Sequence, residues 1–237
     1  MTYCVGLLLN AGMVLLSDTR TNAGLDNISS YKKMFTFEQP GERAIAIMTA
    51  GSLSVTQTAI ARLHDAIETE DDESILNAPT MLRVAEIVGN ALSTVARDVA
   101  AKMGGMTQNA SASMIVAGQR KGGGMRMFLI YPEGNFIEAT SDTPFLQIGE
   151  HKYGKPILDR VVTMETTLAD AQKAVLLSMD STLRSNLSVG MPLDMCVIPE
   201  GTMQIQQRRI EADDAGFHAM SAAWSTALRD AFQDIAL

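Results

Sequence analysis

Two apolar runs open the chain, at 3–9 and 13–17, separated by Asn10-Ala11-Gly12. Runs of this length around a short polar turn predict a hairpin of two strands buried on both faces. Runs at 34–38 and 43–49, with Pro40-Gly41 between them, predict a second pair. The period then changes. Leu53, Thr56, Ile60, Leu63 and Ile67 fall at helical spacing behind Ser52, a residue type suited to an N-cap. The acidic run 70–73 reads as a solvated loop. Leu82, Ala85, Val88, Leu92, Val95, Val99 and Met103 predict a long second helix, with Pro79 in its first turn and Gly104-Gly105 at its end.

Strand patterns return at 112–118, 125–131 and 135–140. KGGG at 121–124 lacks the spacing and the following helix of a phosphate loop and reads as a hairpin turn. Thr167 with Asp170 opens a third long helix carrying Leu168, Ala171, Val175, Met179 and Leu183. A strand pair is expected at 193–199 and 202–207. The last helix puts Phe217, Met220, Trp224, Leu228, Phe232 and Ile235 on one face, with Asp213 and Asp214 ahead of it. The chain shows no linker, repeat or low-complexity tract. The order of elements fits two antiparallel sheets stacked face to face with helices outside: an α/β (α+β) fold, a four-layer αββα sandwich in one domain over 1–237, with a helical extension at about 212–237.

Composition narrows the function classes. Hydrophobic residues make up 46% and charged residues 19% of the 237, so a large core is available and disorder is not expected. Net charge is −8 without a basic cluster, which argues against nucleic acid and anionic membrane as partners. No signal peptide or spanning segment is visible, because the first apolar stretch is broken at Asn10-Ala11-Gly12 and meets Asp18 and Arg20. Cys4 and Cys196 lie in apolar runs and read as buried reduced thiols, so a cytoplasmic protein is expected. The 16 methionines read as core filler. His64, His151 and His218 show no metal-ligand spacing, and no cofactor or metal is expected.

The candidate chemistry sits at the amino terminus. Thr2 stands directly behind Met1. Loss of Met1 would leave a hydroxyl nucleophile beside its own α-amine, a base with pKa of about 7.7–8. Asp18 closes the second strand and Lys33 precedes the third, and a hairpin can carry both to the start of the first strand. A lysine there lowers the hydroxyl's pKa, and an aspartate keeps the lysine charged and oriented.

The stretch TYCVGLLLNAGMVLLSDTRTNAG, with Lys32-Lys33 and then MTAGSLSVTQ, resembles a proteasome β-subunit and, more narrowly, the Anbu (ancestral β-subunit) family. The resemblance spans about residues 2–200. It implies the amino-terminal-nucleophile hydrolase fold. Thr2 maps to the nucleophile, Asp18 to the acidic residue of the D-T-R pattern, Arg20 to a supporting charge and Lys33 to the catalytic lysine, with Lys32 as a rival. Gly51 maps to the glycine whose N–H faces the oxyanion at a helix N-terminus. IGEHKYG places Glu150 where the family carries a serine. RSNLSVG matches the family's R-D-x-x-S-G at Ser188, while Ser185 replaces the aspartate and Val189 the glycine. The resemblance implies a threonine peptidase that forms an acyl-ester on Thr2. It also implies a homo-oligomeric ring or open ring and a peptide or unfolded-protein substrate. Two alternatives stay open: a non-catalytic assembly protein that retains Met1, and a small-amide hydrolase on the same fold.

Overall fold

The computed structural model describes residues 2–22, 28–103 and 111–236. Met1 and Gly104-Gly105, on which two of the expectations above fall, lie outside the described residues. Strands β1 (Tyr3–Leu9) and β2 (Gly12–Asp18) form the expected hairpin, every residue of both being buried. Two three-residue strands follow, β3 (Arg20–Asn22) and β4 (Ile28–Ser30), paired with each other. β5 (Met34–Gln39) and β6 (Arg43–Gly51) make the second hairpin. Helices α1 (Leu53–Glu68) and α2 (Met81–Met103) come next, then β7 (Ala112–Arg120), β8 (Arg126–Ile130), β9 (Phe136–Glu138) and β10 (Phe145–Gly149). The chain ends with α3 (Lys155–Val161), α4 (Leu168–Ser185), β11 (Leu193–Pro199), β12 (Gln206–Ile210) and α5 (Ala215–Asp234).

The strands assemble into two five-stranded sheets ordered β10-β1-β2-β11-β12 and β5-β6-β7-β8-β9, antiparallel throughout. Three apolar layers hold them. Cys4, Met13, Leu15, Met48, Ile115, Met127 and Ile148 fill the space between the sheets. Val55, Leu63, Val84, Val88 and Leu92 seat α1 and α2 on one outer face. Leu158, Ala171, Val175, Met179 and Phe217 seat α3, α4 and the start of α5 on the other. Both faces of each sheet are thus covered, which is why the central strands read as continuous apolar runs instead of alternating ones. This is the αββα sandwich.

Several local expectations are corrected. Ser52 does hold the N-cap position of α1, but its hydroxyl lies 3.2 Å from Ser54 Oγ and caps no amide. Pro79 lies before α2, whose cap is Thr80, with Oγ1 accepting from Arg83 N at 3.1 Å. The buried stripe of α2 runs from Met81 through Val84, Ala85 and Val88, so Leu82 is turned outward at 38% exposure. β10 and α3 were not expected, and β12 begins four residues later than the run at 202–207 suggests. Thr167 caps α4 and Asp214 caps α5, accepting from Asp170 N and Phe217 N.

Candidate active site

The hairpin fixes the site's frame. Cys4 pairs with Ser17 across β1 and β2, so the end of β2 comes level with the start of β1, and Asp18 meets the residue after Thr2. Tyr3 N–H donates to Asp18 Oδ1 at 3.1 Å. The chain then turns through β3 and β4 and re-enters the sandwich at Lys33, whose Nζ donates to the same Oδ1 at 2.8 Å and to the Arg20 carbonyl at 2.5 Å. Gly190 N–H donates to Asp18 Oδ2 at 3.3 Å. Asp18 is fully buried and Lys33 is 4% exposed.

A buried pair of this kind is held only when its remaining hydrogen-bonding capacity is filled. Burial pushes the Asp18 carboxyl above the usual carboxylate range, while the Lys33 ammonium and the Tyr3 and Gly190 amides pull it down. Lys33 is fixed at its backbone as well, where its carbonyl accepts from Thr49 N at 2.9 Å and Thr49 Oγ1 at 3.4 Å. Lys32 faces outward, its ammonium 5.8 Å from the centre of the Phe35 ring. Of the two adjacent lysines, Lys33 is therefore the one paired with Asp18.

Thr2 is 8% exposed, and its carbonyl accepts from Glu150 N at 2.7 Å. Glu150 is half-buried, and its carboxylate makes no hydrogen bond among the described residues. Gly51 ends β6 just ahead of the N-cap of α1 with φ +105°, and a Cβ there would lie 2.4 Å from the Ser111 carbonyl. Only glycine fits that turn.

Arg20 contributes differently from the supporting charge that was expected. Its backbone carbonyl holds Lys33, and its guanidinium turns to the Leu187 carbonyl at 2.9 Å. Ser188 is half-buried and donates its N–H to Asn186 Oδ1 at 2.9 Å. Ser185 is exposed at the end of α4 and makes no hydrogen bond to the Asp18–Lys33 pair.

Two contributors were not singled out from sequence. Gly190, one position beyond Val189, donates to Asp18 and lies so close to Arg20 that a Cβ would be 2.2 Å from its Nε. Val189 instead belongs to the core under α4. The second is Tyr3. Its hydroxyl lies 2.6 Å from Ser178 Oγ on α4 and accepts from Gln147 Nε2 at 2.6 Å, and burial pushes the phenol up to about 12. Tyr3 is thereby braced at both ends, its N–H on Asp18 and its hydroxyl between a strand and a helix. These partners lie 144 and 175 residues away, so no local motif announces them.

The other candidates sit apart from this chemistry. Cys4 and Cys196 are free and buried, and burial raises both thiols, Cys196 to about 12. His64 packs on Phe37 with ring centres 4.9 Å apart. Lys121 to Gly124 form the exposed turn between β7 and β8. No helix among the described residues is long and apolar enough to cross a membrane.

Comparison with known proteins agrees with the layered architecture. The chain matches the family model described as "Proteasome subunit" over residues 2–198. Among solved structures it is similar to a Gly-1 mutant of Anbu from Hyphomicrobium sp. strain MC1, at 47% identity, with 100% of this chain and 99% of that one covered and a TM-score of 0.92. It is similar to Anbu from Yersinia bercovieri at 41% identity, covering 99% and 98%, with a TM-score of 0.93. It is also similar to the Anbu of a helical assembly from Pseudomonas aeruginosa at 45% identity, covering 99% and 97%, with a TM-score of 0.94. No curated protein matches. A family model spanning most of the chain, joined to near-complete structural matches at these identities, shows that the chain belongs to the proteasome subunit family and, within it, to Anbu, the ancestral β-subunit.

Proposed function

We propose that the chain is a threonine-type peptidase subunit that hydrolyses peptide bonds through an acyl-ester on Thr2, exposed by removal of Met1. The observation that carries this reading is the buried Asp18–Lys33 pair tied to the amide directly after Thr2. In this mechanism Thr2 Oγ attacks the scissile carbonyl carbon while the Thr2 α-amine accepts the hydroxyl proton. Lys33 stabilises the developing alkoxide, and Asp18 keeps Lys33 charged and aimed. The Gly51 N–H, at the entrance to α1, receives the oxyanion. The C–N bond then breaks, and the amine returns its proton to the departing amino group. Water attacks the ester with the α-amine again as base, freeing Thr2 Oγ. Ser188 belongs to the catalytic set with Thr2, Asp18, Lys33 and Gly51, Glu150 is a supporting group, and this chain runs the chemistry without the aspartate that Ser185 replaces.

In this reading the whole of 1–237 works as one proteasome-type domain with a helical extension, in the cytoplasm, as a homo-oligomer acting on peptides or unfolded chains. Assembly is supported by Leu228, Phe232 and Ile235, exposed at 51%, 79% and 71% on and just beyond α5. A side-chain stripe of this kind favours cover by another copy. The same stripe supports the second reading, an assembly protein in which Met1 stays and no base is freed. Turnover of a fluorogenic peptide separates them. Wild type should cleave it and Thr2→Ala should not, whereas equal turnover removes Thr2 from the mechanism.

A further inference from the structure

A cavity of about 400 Å³ lies between the end of α4, the segment 189–191 and the first turns of α5, and two of its lining residues, Arg20 and Gly190, hydrogen-bond to Lys33 and Asp18. Its wall includes Arg20, Gly190, Asp180, Arg184, His218 and Ser221. The charges in this wall do not balance. Asp180 is 4% exposed and is engaged from both sides, by Arg184 Nε at 3.1 Å and by Ser221 Oγ at 2.7 Å. Arg184 Nη2 closes that triangle on Ser221 Oγ at 2.7 Å. One arginine thus answers the one carboxylate. Arg20 is left as a half-buried guanidinium whose hydrogen bond among the described residues is to the neutral Leu187 carbonyl, and no carboxylate among them pairs with it. His218 Nε2 sits 2.8 Å from the Ala212 carbonyl, so that nitrogen carries the proton and the ring brings no negative charge.

We propose that this cavity is a binding site for a small oxyanion, a carboxylate or a phosphate, taken by the Arg20 guanidinium with Arg184 as the second donor. A guanidinium offers several N–H groups in a fixed plane and binds such anions by charge-assisted hydrogen bonds, which fits a wall with one cation in excess. Two links lead from the cavity to the catalytic pair. The Arg20 carbonyl holds Lys33 Nζ at 2.5 Å. Gly190, packed against the Arg20 guanidinium, gives its N–H to Asp18 Oδ2 and accepts Thr19 N–H at 3.4 Å. An anion that draws on the Arg20 side chain therefore acts on the two residues whose backbones hold both members of the pair, and occupancy changes the reactivity of Thr2. That last consequence rests on the peptidase reading; the binding site itself does not.

The test uses the whole chain, with inorganic phosphate and, separately, acetate as probes in titration calorimetry at constant ionic strength. Saturable binding of either anion is expected, weakened at least tenfold by Arg184→Met and by His218→Glu. The second variant adds a negative charge to the wall while leaving the Asp180–Arg184–Ser221 triangle intact, so it decides the matter if Arg184→Met does not fold. Absence of saturable binding for both anions, or binding that His218→Glu leaves unchanged, overturns the site. Labelling of Thr2 by a threonine-directed electrophile should change at least twofold in rate with saturating anion in wild type, and not in His218→Glu. An unchanged rate while the anion binds overturns the coupling. Labelling of wild type against Thr2→Ala reports separately on the peptidase reading.

Discussion

The end of β2 and the end of α5 solve opposite problems, and only one of them is solved inside the subunit. At β2 a full carboxylate and a full ammonium are taken out of water, and every acceptor site in use on Asp18 has a donor from this same chain. At α5 the apolar face starts well, with Phe217 at 8% exposure beneath the helix N-terminus, and then runs out of protein. Leu228, Phe232 and Ile235 reach 51%, 79% and 71% exposure. A buried charge has to be paired locally, because an unpaired one costs several kcal/mol. An exposed apolar turn of helix costs far less per residue, about 1.5–3 kcal/mol of unrealised burial for each large side chain, and a neighbour can supply the cover. In the proposed reading the first region serves chemistry within a single subunit, and the second serves association.

The largest effect is expected where the pair is broken. Asp18→Ala leaves Lys33 buried without its counter-ion and should destabilise the fold by about 3–5 kcal/mol, read as a lowered midpoint in urea. Turnover should fall with it by two or more orders of magnitude. Lys33→Ala should also lower turnover by about two or more orders of magnitude, the range of acid–base catalysis. Lys32→Ala should leave turnover within a few-fold of wild type. A damaging Lys32→Ala beside a silent Lys33→Ala would contradict the pairing.

Cutting at the other region should spare the fold and alter the assembly. Removal of residues 227–237 should leave the unfolding midpoint of the subunit nearly unchanged while light scattering shifts to small species. A truncated chain that unfolds, or that remains in the full assembly, would show that the end of α5 serves its own subunit.

The smallest effect concerns pH. Burial raises the Asp18 carboxyl above the ordinary aspartate value of about 3.9. As pH falls through that raised value, Asp18 takes a proton and lets go of Lys33, so the acid limb of turnover should lie above about pH 3.9. Its contribution to stability has the opposite sign. The folded chain holds this proton more tightly than the unfolded one, so Asp18's own contribution declines as pH rises from about 3.9 through the folded value. Asp18→Asn should remove this limb from the profile.

The contrast also explains what was legible in the sequence. β1, β2 and β6 are legible as continuous apolar runs, and α1, α2 and α4 as helical periods, because the strands are covered on both faces and the helices bury one. The segment 70–73 is exposed, as its charges suggest, and Thr167 caps α4 as its spacing to Asp170 implies. β3 and β4 have three residues each, too few for a period to register. β10 is five residues long and begins right after Pro144, so its pairing with β1 is a tertiary choice that a local pattern does not carry. In the candidate site, Asp18 and Lys33 were legible because a hairpin and a short return bring them together. Gly190 and the Tyr3–Gln147–Ser178 brace were not, since their partners come from strands and helices more than a hundred residues away. The apolar stripe of α5 was legible, but where its cover ends was not, because the spacing continues past the point where α4 stops offering a surface.

The function proposed for this chain turns on Thr2 becoming its reactive residue. Intact-mass spectrometry before and after treatment with a threonine-directed electrophile tests it most directly. The expected result is a mass lacking Met1, one added label, a fragment map placing that label on Thr2, and no labelling of Thr2→Ala. Retention of Met1 in a chain that still turns over peptide, or equal labelling of Thr2→Ala, would contradict it.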